Sequence, residues 1–190
     1  MTRIAIFASG NGSNCENIIH HFRHSQVATV VLVVCNKPDA PVIDRARHLH
    51  VPVEIVPSPQ FLQEGYVLAM LREHQVDFIV LAGFLLFIPE ELIHTFNHRM
   101  INLHPSLLPK YGGKGMWGHH VHEAVKAAGE KETGFTVHWV STNIDGGEII
   151  AQRKISLLPS DTPDDIAAKE HQLEMQYLPE IIEQLLINNH

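Results

Sequence analysis

Apolar residues fall in near-continuous blocks of strand length at 4–8 (IAIFA), 28–36 (ATVVLVVCN), 51–56 (VPVEIV), 77–84 (DFIVLAGF) and 100–104 (MINLH). Between them, residues 13–24, 40–50, 59–75 and 89–96 carry helical spacing or helix-forming composition. Strands that are apolar throughout need cover on both faces, and alternation of such strands with helices predicts a parallel sheet wound in both directions. After Pro105 the pattern changes. A loop rich in Gly, Pro and His leads to a helix near 119–129, then to strands at 134–140 and 147–157. The short loop bearing Asp145-Gly146-Gly147 predicts that these two strands form an antiparallel hairpin. The last segment has Asp161 or Thr162 as N-cap, Pro163 at the first helical position and acids in the first turn, so it predicts a long final helix packed on the sheet. The expected fold is α/β: a Rossmann-like, doubly wound, mostly parallel sheet with an antiparallel C-terminal portion and a long C-terminal helix. No repeat or linker divides the chain, so residues 1–190 are expected to form one domain.

A chain of 190 residues suits a single core. Its 14 Lys+Arg against 21 Asp+Glu give a net charge of −7, with no basic block. That argues against nucleic-acid binding, which needs a basic footprint, but leaves room for a small anion held by backbone N–H groups. Cys15 and Cys35 have neither C-x-x-C nor zinc-ligand spacing, and two isolated thiols fit a reducing, cytoplasmic setting. The opening MTRIAIFASGNGSN lacks the apolar core of a signal peptide, and no apolar run reaches the roughly 18–20 residues of a membrane span. A soluble protein is expected.

The turn ASGNGSN (8–14) joins the first strand to the first helix. Gly10 and Gly12 can take positive φ or admit a ligand to the backbone, and the following helix turns its free N–H groups toward the same place, which suits a phosphate. Ser13-x-x-Glu16 also fits a capping box that merely closes the helix; the two readings can coexist. A dinucleotide fingerprint would need glycine where Cys15 stands and an acid at the end of the second strand, where Asn36 and Lys37 stand, so a monophosphate is the better expectation.

Asn102 and His104 are two apart on a short strand ended by Pro105, so their side chains share a face while Leu103 points the other way. They lie at the carboxyl end of a strand, where open α/β sheets place ligands. An amide donor beside an imidazole, with no Ser or Cys nucleophile next to them, suits direct attack by a substrate amine on a carbonyl. Asn102 would donate to the developing oxyanion, and His104 would donate to it or manage the proton. Asp145 could hold the imidazole in its charged state or carry a proton. Equally, the three could satisfy loop backbone and a turn.

FASGNGSN, VLAGF, INLHPSLLPKY, ETGFTVHWV and DGGEIIAQ, in this order, resemble the folate-dependent phosphoribosylglycinamide formyltransferases from about residue 3 to 186. The resemblance implies transfer of the formyl group of 10-formyltetrahydrofolate to the amine of glycinamide ribonucleotide in purine biosynthesis, with these two small molecules as partners. It implies catalytic roles for Asn102, His104 and Asp145, phosphate binding at Gly12, Ser13 and Asn14, and substrate binding by Glu174. Residues 1–100 would be the phosphate-binding half and 101–190 the catalytic and folate-binding half. The folate would lie along Leu81, Ala82, Gly83, Phe84, Leu85 and Leu86 and along Val140, Ile144 and Asp145. Many members carry Arg after AGF; this chain has Leu86, so Lys110 or Lys114 is expected as the substitute charge for the cofactor's glutamate tail. The loop KYGGKGMWGHHVHEAV is a few residues longer than is typical and rich enough in glycine for a lid.

Methionyl-tRNA formyltransferases and formyltetrahydrofolate hydrolases share this chemistry, but the first would need a basic extension and the second an N-terminal regulatory domain, and neither is expected here. A non-catalytic nucleotide-binding module is the reading from another class. His20 and His24 are spaced i, i+4, and His119, His120 and His122 cluster, yet no zinc arrangement accompanies either group, so no metal is expected. A homodimer is compatible with the sequence.

Overall fold

In the computed structural model, which describes residues 1–188, the chain divides into two compact units: Met1–Ile101 together with the chain from Pro179 onward, and Asn102–Leu178. The apolar blocks of the first unit become β1 (Thr2–Phe7), β2 (Ala28–Cys35), β3 (Val53–Ile55) and β4 (Phe78–Leu81). β1 pairs in parallel with β2 on one side and β4 on the other, and β2 pairs in parallel with β3. Ile4, Ile6, Phe7, Leu32, Val33, Val34, Ile79 and Val80 are all fully buried, as strands covered on both faces require.

The helices of this unit are α1 (Ser13–Phe22), α2 (Val42–His48), α3 (Ser58–Phe61), α4 (Tyr66–Glu73) and α5 (Glu90–Thr95). α1 buries Cys15, Ile18, Ile19 and Phe22, the i, i+3, i+4, i+7 stripe of one helix face. Burial pushes the Cys15 thiol up to about 12, so it is inert packing. The helix expected over 59–75 is two helices: Gly65 interrupts it at φ 73, and its N–H donates to the Glu91 carboxylate at 2.9 Å. The strand expected over 77–84 stops at Leu81, because Gly83 takes φ 74 and turns the chain.

β5 (Met100–His104) carries the chain into the second unit. That unit holds α6 (His119–Ala127), β6 (Glu132–Trp139), β7 (Ile149–Ser156) and most of α7 (Pro163–Asn188). β6 and β7 are antiparallel, with Glu132 opposite Ser156 and a register shift between Val137 and His138. The strand order along the sheet is β3-β2-β1-β4-β5-β6-β7. The architecture is the expected one: a mixed sheet with a parallel core, an antiparallel C-terminal portion and a long final helix.

Of the two caps expected for α7, Thr162 serves. Its Oγ1 accepts the Asp165 N–H at 3.2 Å, while the Asp165 carboxylate accepts the Thr162 N–H at 2.8 Å. Asp161 is buried instead and accepts from the Leu158 N–H and the Lys169 ammonium. Val121, Val125 and Ile166 form a small core in this unit, and Tyr111, Met116 and Leu157 pack against it.

Candidate active site

In the second unit, the β pleat aims Asn102 and His104 to one side of β5, and the β6–β7 connection brings Asp145 to both. Asn102 Nδ2 lies 3.4 Å from Asp145 Oδ1, and His104 Nδ1 lies 3.5 Å from Asp145 Oδ2. Asp145 adopts φ 52, a left-handed conformation that Asp tolerates better than most residues. Its Oδ2 also accepts the Gly113 N–H at 2.9 Å.

A fourth residue joins them. His138 is buried at the end of β6, with Nδ1 2.9 Å from the Trp139 carbonyl and Nε2 3.0 Å from Asn102 Nδ2. A carbonyl only accepts, so Nδ1 carries the hydrogen and Nε2 must accept from Asn102. This fixes the Asn102 amide: one N–H is spent on His138, and the other faces Asp145 over the longer distance. Sequence reading missed His138. The available signal was its inward position on an alternating strand, which is shared by ordinary core residues.

The same logic applies to His104. Its Nε2 lies 2.8 Å from the Tyr111 carbonyl, so Nε2–H donates there and Nδ1 faces Asp145. Burial lowers the His104 pKa; the Asp145 charge and the Tyr111 carbonyl oppose this without overcoming it, and His138 adds to the lowering. The resting imidazole is therefore favoured in its neutral form at neutral pH. For Asp145, burial pulls upward, but the neighbouring His138 and His104 imidazoles and the Gly113 N–H outweigh it and hold its carboxyl below the ordinary carboxylate range.

The 105–110 segment, which includes a cis Leu108–Pro109 bond, is braced from β6 and β7. The buried Thr136 hydroxyl donates to the Ser106 carbonyl at 2.7 Å and accepts the Leu108 N–H at 3.0 Å, and Gln152 Nε2 donates to the Leu108 carbonyl at 2.9 Å. The glycine-rich stretch after it is tethered by its first residues. The Tyr111 carbonyl holds His104, the Gly113 N–H holds Asp145, and the Tyr111 hydroxyl bonds Glu130 at 2.9 Å. Lys110, one of the two substitute charges named from sequence, is paired with that same Glu130 at 2.8 Å; Lys114 is exposed.

Glu174 lies on α7 and is buried, with His171 Nδ1 3.1 Å from its Oε2. Its hydrogen bond and charge raise the His171 pKa, against the opposing effect of burial. Val140 is half-buried just after β6, and Ile144 is exposed just before Asp145.

The first unit carries the turn. Gly12 is the N-cap of α1 in a left-handed conformation, φ 81, and no side chain caps the helix. The expected capping box is thus not formed: Ser13 is already helical, and Glu16 pairs with Arg45 of α2. Gly12 is sterically required as well, since a Cβ there would lie 2.5 Å from the Val42 side chain and 2.8 Å from Val42 Cα. Ser13 and Asn14 open the helix next to it. Gly12→Ala is expected to raise the KM for a phosphorylated substrate at least about tenfold and to lower the melting temperature, because φ strain and a backbone contact act together. Substrate titration and thermal melts check this; an unchanged KM would remove the turn from the binding site.

Ser9, also missed from sequence, ties this turn to the segment after β4. Its hydroxyl donates to Asn36 Oδ1 at 2.5 Å and accepts the Leu85 N–H at 2.9 Å, while its own N–H donates to the Gly83 carbonyl at 3.0 Å. Leu81 and Ala82 are buried, and Phe84 packs on Phe7 and Phe61 with ring centroids 5.3 and 5.0 Å away. Leu86 is half-buried, whereas Leu85 and Phe87 are exposed apolar side chains at 45% and 65%. Among the described residues, no group of three or more His, Cys, Asp and Glu is arranged to hold a metal ion, and no helix is long and apolar enough to cross a membrane.

The sequence profile of the formyl transferase family matches residues 2–182. Phosphoribosylglycinamide formyltransferase of Bacillus subtilis (strain 168) is 38% identical over 195 residues, which cover 100% of this chain and 97% of that protein. The chloroplastic phosphoribosylglycinamide formyltransferases of Vigna unguiculata and Arabidopsis thaliana are both 37% identical over 97% and 96% of this chain, which spans 62% and 66% of their lengths. Among solved structures, phosphoribosylglycinamide formyltransferase from Bacillus halodurans is similar with a TM-score of 0.89 at 34% identity, covering 100% of this chain and 97% of that one. The enzyme of the same name from Anaplasma phagocytophilum gives a TM-score of 0.90 at 30% identity, covering 98% and 88%.

Proposed function

The chain belongs to the formyl transferase family, and from that membership we propose that it transfers the formyl group of 10-formyltetrahydrofolate to the amine of glycinamide ribonucleotide. The products are N-formylglycinamide ribonucleotide and tetrahydrofolate. The names of the relatives support the substrates. The observation that carries the chemistry is the convergence of Asn102, His104 and Asp145. The His104 ring is held by the Tyr111 carbonyl and faces a carboxylate, and among the described residues no serine or cysteine is bonded to it to act as nucleophile. The attacking group is then the substrate's own amine.

As that amine adds to the formyl carbon, negative charge grows on the formyl oxygen. Asn102 donates to it by exchanging the long 3.4 Å bond to Asp145, while its bond to His138 keeps the amide from flipping. His104, neutral at rest, takes up at Nδ1 the proton that the attacking amine releases, with Asp145 at 3.5 Å stabilising the imidazolium. That same proton passes to the departing folate nitrogen as the C–N bond to the folate breaks, with Asp145, ionised at neutral pH, as the relay. In this reading Gly12, Ser13 and Asn14 take the 5′-phosphate on the uncapped start of α1, and Glu174 accepts from the ribose. Leu81–Leu86, Val140 and Ile144 contact the folate. The buried, unpaired thiols of Cys15 and Cys35 support a cytoplasmic setting.

The test is formyl transfer from 10-formyltetrahydrofolate with and without glycinamide ribonucleotide, read by folate absorbance and by acceptor mass. The expected result is acceptor-dependent turnover with a formyl gain on the acceptor. Folate release without acceptor would instead indicate a hydrolase, and no reaction in either tube a binding module.

A further inference from the structure

α7 places Glu170 and Glu174 one helical turn apart, so their side chains share a face. Both are buried, at 3% and 6% exposure, where carboxylates are rarely found without a partner. The Glu174 carboxyl stands within hydrogen-bonding reach of the Glu170 carboxyl. Two carboxylate oxygens cannot bond without a hydrogen between them, so this pair retains a proton that two separate glutamates would lose at neutral pH.

The surroundings say which residue keeps it. Glu174 has a second donor at hand, His171 Nδ1 at 3.1 Å, which favours its ionised form. Among the described residues, Glu170 Oε1 has no hydrogen-bond partner and is buried. From α6, His122 faces the pair: it is buried, feels the charge of Glu174, and has its ring centroid 6.4 Å from that of His119, which itself lies 3.7 Å from the Glu123 and Asp164 carboxylates. Burial lowers the His122 pKa, with His119 adding to this and Glu174 opposing it, so His122 supplies no cation to ionise Glu170. Burial and then the Glu174 charge push the Glu170 carboxyl well above its ordinary range.

We infer that Glu170 is a positioning residue for Glu174: its carboxyl keeps one proton, donates it to Glu174, and so fixes the Glu174 carboxylate as an acceptor for the hydroxyls of a ribose. The ribose assignment rests on the proposed function; the shared proton does not. It also gives substrate binding an alkaline limit. When Glu170 ionises, its charge repels that of Glu174, and the bond that orients Glu174 is lost.

The experiment compares wild type, Glu170→Gln, Glu170→Leu and Glu174→Gln by KM for each substrate, by kcat, and by melting temperature from about pH 5 to pH 9. Glutamine keeps a donor and the side-chain size; leucine keeps neither donor nor polarity. Glu170→Leu is expected to raise the KM for glycinamide ribonucleotide about tenfold, the cost of freeing one charge-assisted hydrogen bond. The KM for 10-formyltetrahydrofolate should not move. Glu170→Gln should restore the KM and abolish its rise at high pH.

The melting temperatures report on the proton without any substrate. A carboxyl raised in the folded state contributes stability that is complete below its unfolded pKa and is lost as pH rises toward the folded one. Glutamine does not titrate, so the Glu170→Gln protein should gain on wild type steadily as pH rises above about 4.5. A pH-independent difference would overturn the shared proton. Glu170→Leu with a wild-type KM, while Glu174→Gln raises it, would overturn positioning. Wild type without ribonucleotide-dependent turnover would overturn the proposed function and the ribose assignment with it, leaving the melting series to decide the proton.

Discussion

Asn102→Ala is expected to lower kcat by about 10²–10³, the usual cost of removing one oxyanion donor. The geometry gives this loss a particular form. Asn102 is the only one of the converging groups that offers an N–H by virtue of its amide alone: the His104 Nε2–H is spent on the Tyr111 carbonyl, and Asp145 is an acceptor. His138 Nε2, itself an acceptor, selects the Nδ2 side of the amide for the interior of the cluster. Asn102→Asp, which keeps the shape and removes both N–H groups, should therefore be about as damaging as alanine. It also sets a carboxylate against Asp145 and against the acceptor nitrogen of His138. Steady-state kinetics on folded protein, judged by circular dichroism, would check both variants. Near-normal turnover in Asn102→Ala would contradict the assignment, and a fully active Asn102→Asp would show that shape and not donation matters.

Gly147→Ala is expected to destabilise the protein by about 2–4 kcal/mol, well beyond an ordinary surface substitution. A Cβ at this position would lie 1.7 Å from the Trp139 carbonyl oxygen and 2.8 Å from its carbon, so backbone must move. That carbonyl is the acceptor that sets the His138 tautomer, and the adjacent Trp139 N–H bonds the Glu148 carbonyl at 2.9 Å across the same connection. The strain therefore reaches Asn102 through His138, and kcat should fall in whatever fraction remains folded. Gly10→Ala is the control, because Gly10 has no atom within 4 Å of its would-be Cβ and is not at positive φ. Thermal melts should show a drop of roughly 10 °C for Gly147→Ala and little for Gly10→Ala. Equal midpoints would mean that the hairpin accommodates the shift without loss of its hydrogen bonds.

Both expectations concern residues that sequence reading treated unequally. Asn102 stood out because the period of a β-strand puts it on the same face as His104, and Asp145 because a DGG turn ends a hairpin. Gly147 was only punctuation, and its approach to Trp139 depends on the register shift between Val137 and His138. His138 was one inward residue among several. The Ser13–Glu16 pair had the spacing of a capping box, but Arg45 lies close enough in space to take the carboxylate. The apolar spacing over 59–75 predicts one continuous helix because it survives the break at Gly65, whose N–H is drawn to Glu91 from 26 residues away.

The chain's own pattern determined the alternating elements, the parallel core with its antiparallel end, the turn after β1 and the strand face that presents Asn102 and His104. These follow from local rules: hydrophobic period, turn chemistry and helix capping act over a few residues. Tertiary structure decided the state of the chemistry. The amide of Asn102 is oriented by a residue 36 positions away, and the carboxylate it faces is 43 positions away. The proton position on His104 and the shared proton of Glu170 and Glu174 depend on burial. No window of sequence encodes these, because desolvation and charge act through space on whatever the fold brings within a few ångströms.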